Sequence, residues 1–307
     1  MGNDMEVKDE RELKALISLV DEPDINIFRE ITEKIYSYGF SAIPLLEEKW
    51  ENTLDEKIQQ RILSIIHKIQ FQNICIELDK WAKSDLKDLL TAFILISRSQ
   101  YPDVKEEELK KKIENIRKDI WLEINSELTS LEKVKVLNHI FYDVYGFGGN
   151  IKNFHTPQNS YLNTLLETRK GNPLSIGMLY MIIAQQLNIP VFGVNMPEHF
   201  VLCYTNEHPE DSMKFIDINE VLFYINPFSK GAVFTRKEAE MFIAELKLEP
   251  LEIFFKPCSN LDIIRRLINN LLFSYKKIEE PEKIQELELL MNIINQSRSD
   301  KFHLEAQ

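Results

Sequence analysis

Residue types that can carry covalent chemistry gather in one stretch of the chain. Asn172-Pro173 reads as a helix N-cap followed by proline at the first helical position, because Asn accepts from orphan N–H groups and Pro has no N–H to leave unpaired. Ser175 then falls in the first helical turn, where the helix dipole favours negative charge. His199 follows on a predicted strand. A nucleophile at a helix start, a histidine on a neighbouring strand and a third residue to orient it is the arrangement of acyl-transfer sites. The same residues have structural roles to weigh against that chemistry. A first-turn serine satisfies orphan N–H groups, and a lone histidine among apolar neighbours serves as a hydrogen-bonded structural or pocket residue. Cys203 shares a strand face with His199 but lies roughly 13 Å along it, too far for an ion pair, so it reads as a buried structural thiol.

The elements around these residues place unusual demands on the backbone. Six of the nine glycines in 307 residues lie between positions 146 and 193, although glycine ordinarily makes up about 7% of a chain. Asn150 and Asn159 read as loop-fixing side chains, and Arg169 and Lys170 as caps for the carbonyls of their own helix before Gly171. On both sides the pattern is helical. Apolar residues recur at helical spacing over 12–70, 85–98, 103–125 and 130–143, and again over 260–279 and 281–296. Between them lie helices over 160–168 and 173–187, then strand-like segments at Pro190–Val194, His199–Tyr204, Met213–Ile218 and Val221–Ile225. Thr235 with Glu238 forms a capping box for a helix reaching Leu246.

Composition narrows the function classes. With 49 acidic against 37 basic side chains the net charge is −12, which disfavours nucleic acid and anionic membranes as partners. Cys75, Cys203 and Cys258 are an odd, scattered set with no CxxC pair, which fits a reducing, cytoplasmic setting rather than a disulfide framework. The start of the chain lacks a signal-peptide pattern, and no apolar run approaches membrane-spanning length. The six histidines show no paired spacing and there is no glycine-rich phosphate loop, so neither a metal nor a cofactor is expected.

Residues 141–245 resemble the SirB-type branch of the transglutaminase-like superfamily. The likeness rests on Gly146-Phe147, Gly149-Asn150, Asn159-Ser160-Tyr161-Leu162, Leu166, Arg169, Gly171, Pro173, Ser175, Tyr180, Pro190, Gly193-Val194, Pro197, His199-Phe200, Pro227-Phe228 and Gly231. It implies a papain-type core in which active relatives carry Cys at the helix start, His on the next strand and Asp on the one after. By that alignment the Cys position is Pro173, the His is His199, and the Asp position is Asn226, with Asp217 as the rival. Asparagine can orient a histidine, but proline offers neither a nucleophile nor an N–H for an oxyanion. Ser175 stands two residues beyond Pro173, about 200° around the helix, and points elsewhere.

The expectation is therefore an α+β protein, mostly helical, with three parts. Residues 1–128 form a helical region, HEAT-like at 12–70. Residues 129–250 form the transglutaminase-like core with a small antiparallel sheet, and 251–307 a tetratricopeptide-like helical pair. The resemblance implies a non-catalytic, cytoplasmic binding or scaffold module for a protein or peptide. Two other readings stand beside it. One is a hydrolase or acyltransferase of altered chemistry using His199 with Ser175, and the other is a helical-repeat adaptor whose core is a platform.

Overall fold

The computed structural model describes residues 2–206 and 218–304 and divides the chain into two compact units. The first unit, up to Glu77 with 99–102, is helical throughout its described residues. Helices α1 (Gly2–Ser18), α2 (Ile25–Ser37), α3 (Ile43–Glu51) and α4 (Glu56–Lys83) follow one another, the last turns of α4 falling in the second unit. Asp24 starts α2 by accepting from the N–H groups of Asn26 and Ile27, and Gly39 takes the left-handed φ of +55° where that helix stops. Leu13, Ile17, Ile31, Ile35, Leu46, Ile62 and Ile65 form the core of this unit. Arg61 binds it together from the side, donating to the Val20 and Glu22 carbonyls and lying over the Phe28 ring.

The second unit, residues 78–98 and 103 onward, is α+β. Its helices α5 (Leu89–Arg98), α6 (Glu106–Glu123) and α7 (Ser130–Asn138) precede the region rich in glycine. Helix α5 begins at Leu89 rather than at 85, because Lys87 has φ of +41° and Asp88 caps the helix through Thr91. The periodicity over 130–143 also breaks. The α-helix ends at Asn138 and a π-helical turn continues from His139 to Val144, its wider loop closed by the Tyr145 N–H on the Ile140 carbonyl. Next come strand β1 (Gly148–Gly149), helix α8 (Leu162–Thr168) and strand β2 (Lys170–Gly171), with β1 and β2 pairing in parallel.

Helix α9 (Pro173–Gln186) is the axis of this unit, with every residue from Leu174 to Ala184 buried. A helix apolar all round must be covered on all sides. Helices α5, α6 and α8 contact it, and so does an antiparallel meander of β3 (Val191–Asn195), β4 (Phe200–Thr205), β5 (Val221–Asn226) and β6 (Ala232–Phe234). Gly177 lets the sheet approach, because a Cβ there would come within 2.8 Å of the Phe200 ring. The opposite sheet face, with Val194, Val201, Cys203 and Tyr224, packs on Ala239 and Ile243 of α10 (Arg236–Glu245). Thr235 and Glu238 form the predicted capping box there. Helices α11 (Asn260–Lys277) and α12 (Pro281–Leu304) close the chain as a contacting pair. The expected strand over 213–218 falls almost wholly outside the described residues.

Three buried tyrosines link these layers: Tyr142 donates to the Pro227 carbonyl, Tyr180 to Asn138 Oδ1 and Tyr224 to the Phe255 carbonyl. Burial pushes all three hydroxyls above the ordinary tyrosine range. A folded pKa above the unfolded value of about 10 gives stability that is complete below that pH and declines as pH rises through it. The urea midpoint is accordingly expected to fall steeply above about pH 10. Tyr142→Phe should shallow that fall, and an unchanged alkaline slope would contradict this account.

Candidate functional site

The start of α9 is closed by its own side chains. Asn172 is the N-cap in extended backbone, and its Oδ1 accepts from the Ser175 N–H at 2.9 Å. Ser175 Oγ accepts in return from the Asn172 N–H at 3.1 Å. Its single proton goes to the Asn159 carbonyl at 2.6 Å. Ser175 is 0% exposed. Pro173 occupies the first helical position, where a missing N–H costs nothing. This hydroxyl therefore acts as donor and acceptor inside the fold, where no substrate reaches it.

Around the helix start lies a polar cluster built from the glycine-rich segment. Asn172 Nδ2 donates to Ser160 Oγ. Asn159 is 3% exposed and uses its whole amide: Oδ1 accepts from Asn150, and Nδ2 donates to the Asn153 and Phe154 carbonyls. The Asn150 N–H donates to the Gly171 carbonyl as the β1–β2 pairing ends. Gly149 lies so tightly under the Phe228 ring that any Cβ there would collide with it. Asn138, which carries no sequence signal, ties the far side by donating to the Gly231 carbonyl and accepting from Tyr180. The loop-fixing roles read for Asn150 and Asn159 are thus seen in detail. Arg169 caps its helix as expected and does more besides. It is the left-handed C-cap of α8 with φ of +60°, and its guanidinium donates to the Tyr145 carbonyl at 2.6 Å and lies over the Tyr145 and Phe147 rings. Its backbone N–H caps its own helix on the Leu165 carbonyl at 2.9 Å, while the guanidinium ties a second segment to the helix end.

The structure does not bring the remaining candidates to this point. His199 precedes β4 in an exposed turn rather than lying within the strand, and its ring meets Phe242 of α10 edge-on at 4.6 Å. Side chains alternate along a strand. Phe200 faces Gly177 of α9, whereas Val201 and Cys203 face α10 with His199. The His199 ring is thus partnered on the α10 side, whereas Phe200 is presented to α9. Asn226 ends β5 and caps its own turn, with Oδ1 accepting from the N–H groups of Phe228 and Ser229 at 3.0 and 3.2 Å. Asp217 lies outside the described residues. Near α9 the packing is tight: Phe200 and Pro227 crowd Gly177, and Phe228 crowds Gly149.

Other chemistry-bearing groups lie elsewhere. Cys203 is fully buried and burial pushes its thiol well above the usual range, as it does Cys258, up to about 12. Burial thus disfavours the thiolate at both positions. Among the described residues no group of His, Cys, Asp and Glu is arranged to hold a metal, and no helix is long and apolar enough to cross a membrane. A depression of about 400 Å³ is lined by Leu90, Lys110, Glu114, Arg117 and Gln186. Gln186 is the last residue of α9, so this hollow sits at the opposite end of the helix from Pro173, about 20 Å away.

Comparison with known proteins follows this geometry. A family model described as the transglutaminase-like superfamily matches residues 107–269. Human F-box only protein 21 is 31% identical over 136 residues, 44% of this chain and 20% of that protein. A UPF0162 protein of Xylella fastidiosa is 30% identical over 114 residues, 37% of this chain and 41% of its own length. A UPF0162 protein of Buchnera aphidicola is 24% identical over 210 residues, 67% and 71% of the two chains. The matched region thus spans about a fifth of F-box only protein 21, and no solved structure matches.

Removing the Ser175 hydroxyl leaves the buried Asn159 carbonyl and Asn172 N–H without their short partner. Ser175→Ala is expected to cost about 1–3 kcal/mol, read as a lower urea midpoint. An unchanged midpoint would show that this pair does not hold the helix start.

Proposed function

We propose that this chain, which belongs to the transglutaminase-like superfamily, is a non-catalytic, SirB-type member of it, with Pro173 at the position that the resemblance gives to the nucleophile. In this reading it is a cytosolic module that binds or scaffolds a protein or peptide. One observation carries the reading. The helix start that would present a nucleophile has Pro173 at its first position, and the nearby hydroxyl of Ser175 is buried in a reciprocal cap. The other two roles are also unassembled, since His199 faces α10 and Asn226 caps its own turn. A general base must lie within hydrogen-bond reach of the proton it takes, and the Ser175 proton goes instead to the Asn159 carbonyl. The relatives add a second kind of support. A match of 136 residues covers a minor part of F-box only protein 21, and one of 210 residues covers most of the Buchnera UPF0162 protein, as a module used in different settings would.

The test is direct. Purified protein incubated with a glutamine-containing peptide and a primary amine is expected to give neither hydrolysis nor cross-linking above the buffer rate, and His199→Ala is expected to behave as the wild type. Turnover that disappears in His199→Ala would overturn the proposal.

A further inference from the structure

The buried cluster at the helix start holds an exposed surface in place. Asn159 fixes the loop from 150 to 156 through the Asn153 and Phe154 carbonyls, and Asn150 accepts from the Asn153 N–H. The loop so fixed leaves Ile151 81% and Phe154 43% exposed. A rigid loop carrying exposed apolar side chains has already lost the conformational freedom that binding would otherwise remove. Phe154 is one link in a row of rings. It meets Phe228 edge-on at 5.8 Å on one side and His155 at 5.2 Å on the other, and His155 meets Phe273 of α11 at 5.8 Å. Phe273 is itself 53% exposed, with the Lys277 ammonium 4.7 Å above its ring.

The charge around this row opposes that of the whole chain. The segments that build it, 150–156, 227–231 and 269–277, contain Lys152, Lys230, Lys276 and Lys277 and no acidic residue, on a protein of net charge −12. Lys230 has an ion pair with Asp143 at 3.5 Å. Aromatic anchors with a basic rim complement an apolar side chain flanked by carboxylates. A few lysines on so acidic a protein are too small a field to track a phosphate backbone.

We propose that the row Phe228, Phe154, His155 and Phe273, rimmed by Lys152 and Lys277, is the docking surface for an acidic peptide segment with an aromatic or aliphatic anchor. This rests on the non-catalytic reading and gives it a site and a partner chemistry. The row contains none of Pro173, Ser175, His199 or Asn226, so its variants leave in place every residue assigned to catalysis by the resemblance.

A random peptide library selected against the full chain tests it. Enriched peptides are expected to carry net negative charge around Phe, Tyr, Trp or Leu and to bind more weakly as salt is raised. The exposed-site double variant Phe154→Ser/Phe273→Ser should weaken them about tenfold or more, and Lys277→Glu several-fold, with the urea midpoint of each variant checked against wild type. No enrichment, enrichment of basic or uncharged peptides, or undiminished affinity in the double variant would overturn the surface. So would displacement of the selected peptide by a labelled single-stranded oligonucleotide. Mass spectrometry of the selected peptide separates the two readings. Cleavage lost in His199→Ala would sink the non-catalytic reading, while unaltered binding by the double variant would sink the surface alone.

Discussion

The structure of the second unit depends on how the buried end of α9 satisfies its backbone. A helix leaves its first N–H groups without intrahelical partners, and burying them unpaired costs about 1–3 kcal/mol each. In this protein Pro173 removes one such group, Asn172 accepts another, and Ser175 closes the pair from the other side. The surplus capacity of the same side chains reaches outward, through Ser175 to the Asn159 carbonyl and through Asn172 to Ser160. One solution to one helix end thus fixes the chain between 150 and 175. An acyl-transfer enzyme uses such a helix end differently, leaving its dipole open to a thiolate and an oxyanion.

Packing follows from that choice. The sheet packs directly on the helix. Gly177 lets Phe200 lie against α9, and Gly149 lets Phe228 cover the β1–β2 pair. Gly149 and Gly177 are thus places where rings and backbone approach each other. The same closure turns outward at the loop from 150 to 156, where rigidity and exposure coexist. That combination underlies the docking surface proposed above.

The candidate residues separate because strand alternation and helix capping act on neighbouring positions. His199 and Phe200 are adjacent in sequence, yet one meets α10 and the other α9. Asn226 stands at the end of β5, but the turn beginning at Pro227 needs an acceptor, and its Oδ1 is used there. Each residue kept the chemistry that its type allows while local backbone demands claimed it first.

Much of this was legible in the sequence. The Asn172-Pro173 helix start, the Thr235 capping box, the strands around 191–195, 200–205 and 221–226 and the helical flanks all follow from local chemistry and periodicity, which a linear chain displays. The absence of a nucleophile at position 173 is likewise a property of one residue. Other features belong to the tertiary structure alone, because they depend on which segments meet. The sequence carries no sign that Arg169 would bind the Tyr145 carbonyl, that Asn138 would clamp Gly231, or that Phe154 and Phe273, far apart in the chain, would face the same solvent. The alternation along β4 was available from the sequence, but which helix covers which face was not. A strand specifies that its faces differ, and only long-range packing decides what each one meets.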